Sequence, residues 1–224
     1  MTTESDIELL CREAAENQFW SVCVNPFWVR TAARILQGRS RVCTVVGFPL
    51  GANVTETKVR EVRNAITDGA DEIDGVLNIG AIASEKYRLV EYEIAEVTRI
   101  TREDAAKLKR KILVKAIVES YLFLHAADPQ GREKLKRVCT ILKDTPVDFV
   151  KTCTGFDTGY GKSVTTADDV AYIRSLVGPS MGIKAAGGIN SLELVKQLIA
   201  SGATRIGTSH AAKIMAELES KRIQ

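Results

Sequence analysis

The chain has 224 residues, of which 45% are hydrophobic and 26% are charged. This balance is typical of a globular protein with a sizeable core, and the length fits one large α/β domain, expected over residues 1–224. The 31 basic residues are scattered among 28 acidic ones, which leaves a net charge of only +3. Without a long basic run, neither nucleic acid nor an anionic membrane is expected as the main partner, although a local positive site could still bind a small anion.

The first 18 residues, MTTESDIELLCREAAENQ, are acidic and lack the basic and then apolar order of a secretion signal. No apolar run approaches the roughly 18 residues that a membrane span needs. The five cysteines are an odd number without C-x-x-C spacing, which argues against a disulfide framework or a structural zinc site. We therefore expect a reduced, cytoplasmic protein without a bound metal or cofactor.

Short apolar runs alternate with longer amphipathic stretches along the chain. Most apolar runs are continuously apolar and rich in β-branched residues, as in parallel strands covered on both faces. The predicted strands are 21–25, 41–48, 72–79, 111–118, 148–153, 181–186 and 204–209. The predicted helices are 5–18, 27–37, 54–68, 86–109, 131–143, 165–177 and 191–201. Thr55, Thr166 and Ser191 are expected to cap helices.

The order of these elements predicts the fold class. Strand starts recur roughly every 20 to 40 residues, the spacing of βα units, and no linker divides them. Such a series indicates either a doubly wound sheet or a (β/α)8 barrel of the TIM type. The barrel is favoured because polar residues lie inside apolar strands and because reactive residue types follow many different strands. Only seven strands are found and the chain starts with a helix, so the first strand of the barrel is expected to be missing.

Three apolar strands each contain one lysine: Lys115 in ILVKAIV, Lys151 in DFVKTCTG and Lys184 in GIKAAGG. Amines that converge on one interior repel one another and burial disfavours their charge, so both effects are expected to lower a lysine pKa. An uncharged amine can attack a carbonyl group and form an imine. The alternatives are that each lysine pairs with a nearby acid or lies in solvent on an edge strand.

Asp74 lies in a further strand, within DEIDGVLNI, where alternation places it on the same face as Glu72. A carboxylate among amines can hold a protonated lysine in place and relay protons through water. The alternative role for Asp74 is a structural ion pair or a helix cap.

Two glycine-rich segments near the C-terminus predict an anion site. KAAGGIN ends one strand with Gly187 and Gly188, and GATRIGTSHAA ends the next with Gly207 and Ser209 before a helix. Backbone N–H groups at such turns suit a phosphate, and the last two strand ends are its usual position in a TIM barrel. A third glycine-rich loop, TCTGFDTGYG, directly follows Lys151 and could close over a substrate.

Taken together, these segments resemble the deoxyribose-phosphate aldolase family. The matching segments are in family order and cover nearly the whole chain: VCVNPFWV, VCTVVGFPLGANVTETKV, GADEIDGVLNIGA, LVKAIVES, DFVKTCTGF, MGIKAAGGI and GATRIGTS. The resemblance implies a (β/α)8 barrel that cleaves 2-deoxy-D-ribose 5-phosphate to acetaldehyde and glyceraldehyde 3-phosphate without a metal. It also implies a homo-oligomer, either a dimer or a tetramer.

The same resemblance implies roles for individual residues. Lys151 matches the Schiff-base lysine, Lys184 the second lysine that favours the uncharged form of the first, and Asp74 the carboxylate of the proton relay. The residues matched to substrate binding, with the glycines and the serine at the phosphate, are Lys115, Thr154, Gly155, Gly187, Gly188, Gly207 and Ser209.

The chain departs from the family pattern at its start. Family members normally begin with a strand and loop of the type I-D-H-T-L-L-K-P, and this chain starts at the helix that follows. An absent strand would leave two strand edges unpaired and open the barrel wall. A second hypothesis is therefore an impaired relative that binds a sugar phosphate without efficient turnover. A third is another phosphate-binding barrel enzyme, such as an isomerase or a different Schiff-base aldolase.

Overall fold

The computed structural model describes residues 1–126, 128–157 and 161–221. Seven parallel strands form one sheet in chain order. The strands are β1 Ser21–Val24, β2 Arg41–Val46, β3 Glu72–Val76, β4 Leu113–Ile117, β5 Phe149–Lys151, β6 Gly182–Ala186 and β7 Arg205–Gly207. All seven predicted strands are confirmed, and most end earlier than predicted because glycine and polar residues at their carboxyl ends begin the next loop or helix.

The helices surround this sheet. The α-helices among the described residues are α1 Glu4–Glu16, α2 Val29–Leu36, α3 Thr55–Asp68, α4 Ile79–Ala83, α5 Tyr87–Lys107, α6 Ser120–Leu124, α7 Gly131–Lys143, α8 Ala167–Val177, α9 Leu192–Ala200 and α10 Ala211–Ser220. The seven predicted helices are confirmed, and α10 follows the last strand, where a helix without stated bounds was expected; α4 and α6 were not predicted. Both α4 and α6 have only five residues, too few to show a helical period. None of the described helices has the length and apolarity needed to cross a bilayer.

Two of the three predicted caps are confirmed. The side chains of Thr166 and Ser191 accept hydrogen bonds from backbone N–H groups in the first turns of α8 and α9. The prediction for Thr55 is wrong: Thr55 is the first residue of α3, and Val54 takes the cap position without a side-chain hydrogen bond. The Thr55 side chain is instead buried against the body of the protein.

A continuous hydrophobic core joins the sheet to helices α1–α9. The outward side chains of the central strands belong to this core and are fully buried, among them Ile73, Val114, Val150 and Ile183. Burial of each such side chain contributes roughly 1.5–3 kcal/mol. Because side chains alternate between the two faces of a strand, burying these residues outward turns their polar neighbours inward.

The sheet curls so that its inner face encloses charged side chains. Arg205 of β7 reaches the Glu72 carboxylate of β3 with an N–O distance of 3.1 Å, and the Trp20 indole N–H donates to the same carboxylate at 2.7 Å. The Arg205 guanidinium also lies 4.9 Å from the centroid of the Trp20 ring. A flat sheet could not bring its last strand into contact with its third, so the barrel-type prediction is confirmed.

The curled sheet is open on one side. Within residues 1–126, 128–157 and 161–221, β1 pairs only with β2 and β7 only with β6, so each keeps one edge without a strand partner. Trp20 and Arg205 face each other across this opening, and Leu10 and Glu13 of α1 line it farther out. The seven strands therefore form a half-barrel of the TIM type, as expected for a sheet without its first strand.

We expect the substitution Arg205→Met to lower the free energy of unfolding by about 2 kcal/mol, because it removes a cation from the fully buried Glu72. Urea denaturation of the purified protein measures this change. The matched control is Arg30→Met, which breaks the exposed pair between Arg30 and Asp68 and should cost no more than about 1 kcal/mol. Equal losses in the two variants would show that the buried contact between Arg205 and Glu72 stabilises the protein no more than an exposed ion pair does.

Candidate active site

The inner face of the half-barrel brings three lysines onto one aspartate. Asp74 is fully buried on β3; its Oδ2 accepts from Lys151 Nζ at 2.9 Å and from Lys184 Nζ at 2.7 Å, and its Oδ1 accepts from Lys115 Nζ at 2.7 Å. Strand register explains the convergence, because Asp74 pairs directly with Lys115 and Lys151 pairs directly with Lys184. We call these four residues the lysine cluster.

The lysine cluster has an excess of basic groups. A second buried carboxylate, Glu72, contacts Lys115 Nζ at 2.6 Å and Arg205 at 3.1 Å. The three lysines and Arg205 thus share two carboxylates, so four of these six side chains are basic and two are acidic. This imbalance favours the binding of an anion nearby.

Contact with the lysines holds the pKa of Asp74 well below its usual range: burial alone would raise this pKa, but the attraction of Lys151, Lys184 and Lys115 outweighs burial. Burial alone would likewise lower the pKa of Lys184, yet contact with Asp74 raises this pKa above its ordinary value. The pKa of Lys115 is also raised despite burial, through Cys43, Asp74 and Glu72.

These shifts correct one expectation. Mutual repulsion and burial were expected to lower the pKa of each converging lysine, and this is wrong for Lys115 and Lys184. The reason is that the amines share a carboxylate within 3 Å, as in the alternative that pairs lysines with a nearby acid.

A cavity of about 770 Å³ opens above the lysine cluster, between the carboxyl ends of β5, β6 and β7 and the open edge of β1. Lys151 and Lys184 lie in its wall and are each only 5% exposed. The other predicted site residues in the wall are Thr154, Gly155, Gly187, Gly188, Gly207 and Ser209. The structure thus brings the glycine-rich loops and two of the three strand lysines around one space.

Lys115 does not line this cavity. Its amine is fully buried between the carboxylates of Asp74 and Glu72, and Asp74 separates it from Lys151 and Lys184. The structure therefore places Lys115 outside the wall of the cavity, and its contact with a substrate stays a prediction. Alternation places Lys115 on the inner face, but it does not give the depth of a side chain within the barrel.

The turn after β6 requires glycine at two positions. Gly187 and Gly188 have φ values of +104° and +72°, in the left-handed region that favours glycine. A Cβ at Gly187 would lie 2.8 Å from the Ser163 carbonyl oxygen, and one at Gly188 would lie 2.8 Å from Val164 Cγ1. Only bare backbone fits here, and it forms part of the cavity wall beside the lysines.

Two residues of the cavity wall, Lys162 and Asn190, were not singled out in the sequence, and Lys162 brings a positive charge to the loop that follows Lys151. Thr208, which lies in the predicted anion-binding segment GATRIGTSHAA, also lines the cavity. A basic residue in a glycine-rich loop was the available signal for Lys162. Residues 158–160 of that loop lie outside the described residues.

Two cysteines also border the site. Cys23 is exposed and lines the cavity, whereas Cys43 is buried with its sulfur 3.1 Å from Asp74 Oδ1. The potential ligand atoms of Cys23, Cys43 and Asp74 lie within 4.8 Å of one another, the spacing of a metal site. Both Asp74 oxygens already accept hydrogen bonds from lysine amines, and these amines oppose a metal cation at the same point.

The family model of DeoC/LacD family aldolases matches residues 1–214. The chain belongs to the DeoC/LacD aldolase family. A deoxyribose-phosphate aldolase of Listeria innocua is 47% identical over 215 residues, which cover 96% of this chain and 88% of that protein.

Solved structures show the same DeoC/LacD aldolase architecture. A structure described as QR15, an aldolase, has a TM-score of 0.86 at 36% identity, and the match covers 99% of this chain and 91% of that chain. A second structure is that of a deoxyribose phosphate aldolase from Aeropyrum pernix, described as having a unique tetrameric structure. Its TM-score is 0.84 at 27% identity, and the match covers 98% of this chain and 86% of that chain. The predicted family is confirmed, and these matches do not favour the alternative of an impaired relative.

We expect Asp74→Asn to lower the free energy of unfolding by about 3–5 kcal/mol, because three buried amines would lose their shared counter-charge. Chemical denaturation at pH 7 measures the loss. The matched variant is Lys184→Leu, which removes one amine and leaves Asp74 with Lys115 and Lys151. It should cost less than about 1 kcal/mol, since an apolar side chain can replace a buried charge at little net change. A larger loss for Lys184→Leu than for Asp74→Asn would contradict this account of the lysine cluster.

Proposed function

We propose that this chain reversibly cleaves 2-deoxy-D-ribose 5-phosphate to acetaldehyde and D-glyceraldehyde 3-phosphate, through an imine on Lys151. The observation that carries the proposal is the contact of Lys151 and Lys184 with one buried carboxylate at the wall of a glycine-rich cavity. Membership of the DeoC/LacD aldolase family and the 47% identity to the Listeria innocua enzyme support the same reaction.

Position distinguishes Lys151 from the other two lysines. Imine formation needs an uncharged amine that can reach a carbonyl carbon. Lys115 has no access to the cavity, and the raised pKa of Lys184 keeps that amine charged while it contacts Asp74. Lys151 lines the cavity and shares its Asp74 oxygen with Lys184, so its bond to Asp74 can be released without leaving the carboxylate unpaired.

The proposed reaction proceeds in balanced steps. The Lys151 nitrogen attacks the aldehyde carbon of the open-chain sugar, and water leaves as the imine forms. The substrate hydroxyl on C3 then loses its proton, the C2–C3 bond breaks, and its electron pair moves towards the protonated imine nitrogen. This releases glyceraldehyde 3-phosphate and leaves an enamine, which takes up a proton at carbon before water hydrolyses the imine. Asp74 and Lys184 lie beside this nitrogen and can transfer the protons.

The substrate phosphate is proposed to bind in the same cavity, at the glycine-rich turns that follow β6 and β7. Gly187, Gly188, Gly207 and Ser209 offer backbone N–H groups and a hydroxyl there, and Lys162 adds a positive charge. The excess of basic over acidic groups in and beside the lysine cluster supports an anionic substrate.

A homo-oligomer is also proposed, with support from the tetrameric description of the Aeropyrum pernix relative, and a cytoplasmic location stays a prediction.

We expect acetaldehyde and borohydride to add one ethyl group to the Lys151 peptide, because hydride reduces the imine to a stable secondary amine. Mass spectrometry of the digested protein locates the label. Lys151→Leu should abolish both the label and the cleavage of deoxyribose 5-phosphate. Lys184→Leu is the matched control: it keeps the attacking amine and should lower kcat by about 10²–10⁴ in a folded protein.

Labelling at another lysine, or no labelling at all, would remove the role proposed for Lys151. A Lys184→Leu variant with the wild-type rate would show that the second amine does not take part in proton transfer.

We expect Gly207→Ala to lower kcat/KM by about 10- to 100-fold, because its Cβ would lie only 3.0 Å from Lys184 Cε and would displace that amine from Asp74. Steady-state kinetics measure the change. Gly80→Ala is the control, since neither glycine has a left-handed φ and a Cβ at Gly80 meets its nearest atom at an ordinary 3.5 Å. Similar kinetics for Gly207→Ala and wild type would mean that the exact position of Lys184 has little influence on the rate.

A further inference from the structure

Glu119 follows β4 and has an unfavourable backbone conformation. Its φ of +49° and ψ of +54° lie in the left-handed region, which is uncommon for residues other than glycine. Its side chain is fully buried. Strained residues of this kind persist where the surrounding structure enforces them, and they are frequent at functional sites.

The carboxylate of Glu119 is only half satisfied. Its Oε2 accepts the Thr154 backbone N–H at 3.0 Å, and its Oε1 has no hydrogen-bond partner in the part of the chain that the structure describes. A buried carboxylate that lacks a full set of partners destabilises the folded protein. The left-handed backbone of Glu119 opposes stability, and the hydrogen bond of its carboxylate goes to the first residue of a cavity loop, which points to a role in the site.

The contact with Thr154 extends the junction between β4 and β5 beyond the strands. Backbone N–H groups on the two sides of Glu119 donate to the carbonyl oxygens of Lys151 at 3.0 Å and Thr152 at 2.8 Å. Ordinary strand-type bonds thus hold Lys151 without the Glu119 side chain. The carboxylate holds the next stretch of backbone, where these bonds have ended.

Thr154 begins the loop that forms one wall of the cavity. Its Oγ1 accepts the Phe156 N–H at 3.2 Å, and the Gly155 N–H donates to Ser163 Oγ at 3.1 Å. Thr154, Gly155 and Phe156 all line the cavity. Gly155 also lies beside the Gly187 turn, since a Cβ built on Gly155 would be 3.7 Å from Gly187 Cα. The position of Thr154 therefore sets the distance between two walls of the cavity.

We propose that Glu119 is a positioning residue for sugar-phosphate binding, which acts by holding Thr154 and Gly155 against the Gly187 turn. This inference rests on the proposed function of the cavity. Glu119 does not touch the lysine cluster, where Lys151 is held by strand bonds and by Asp74. Loss of the carboxylate should therefore weaken binding of the phosphorylated substrate and leave imine formation with acetaldehyde, which has no phosphate, unchanged.

Two variants test this role, and a third serves as the control. Glu119→Gln keeps an oxygen that can accept the Thr154 N–H, and Glu119→Gly removes that acceptor while it relieves the left-handed backbone. We expect KM for deoxyribose 5-phosphate to stay within about threefold of wild type in Glu119→Gln and to rise about tenfold or more in Glu119→Gly. Borohydride labelling of Lys151 with acetaldehyde should match wild type in both.

The control is Asp148→Asn, at the other end of β5, where Asp148 Oδ2 accepts the Val114 N–H at 2.7 Å. It should lower stability and leave KM unchanged, because this contact is remote from the cavity wall. Hydrogen exchange provides a second readout: the Thr154 amide should exchange at least about tenfold faster in Glu119→Gly than in Glu119→Gln, since only the latter keeps an acceptor.

The assignment of Glu119 is overturned if Glu119→Gly keeps the wild-type KM, or if Glu119→Gln and Glu119→Gly raise KM equally. It is also overturned if labelling of Lys151 falls in step with the rise in KM, because Glu119 would then act on the amine. A wild-type protein that neither labels with acetaldehyde nor cleaves the sugar phosphate refutes the proposed function itself, and the assignment with it. The wild-type measurement thus separates the two failures.

Discussion

The carboxylate of Asp74 is the interaction on which the site depends. Apolar strands bring Lys115, Lys151 and Lys184 into the interior, where three amines without a counter-charge would repel one another. Each of these amines instead lies within 3 Å of an Asp74 oxygen. Asp74 neutralises part of the positive charge of these amines, which allows the lysine cluster to stay buried. The positive charge that remains favours an anion in the cavity above it.

The position of Asp74 and the lysines also explains how a reactive site fits in an open sheet. All four residues lie on the central strands β3, β4, β5 and β6, each of which has a strand partner on both sides. Among the described residues, the edges without a strand partner belong to β1 and β7. The strands therefore hold the reactive groups, whereas the loops after β5, β6 and β7 form the walls that face a substrate. In this arrangement Glu119 joins the two parts, since it extends from the end of a central strand to the first residues of a loop.

Much of this arrangement was predictable from local patterns. Alternation within DEIDGVLNI placed Asp74 on the same face as Glu72, and the glycine pair in KAAGGIN marked the turn at Gly187 and Gly188. The errors concern contacts between strands that are far apart in sequence. Asp74 and Lys184, whose contact raises the pKa of Lys184, are separated by 110 positions. Nothing near either residue in the sequence shows that Lys184 donates to Asp74, or that Lys115 is fully buried between Asp74 and Glu72.

The sequence by itself determined the order of strands and helices, the inward direction of the lysines and the positions that only glycine can occupy, because these properties depend on a residue and its immediate neighbours. The tertiary structure alone decided which lysines reach the cavity, in which direction their pKa values move and that Glu119 holds Thr154. Those properties depend on burial and on distances of a few ångströms between different strands, and these distances are set only when the whole sheet curls.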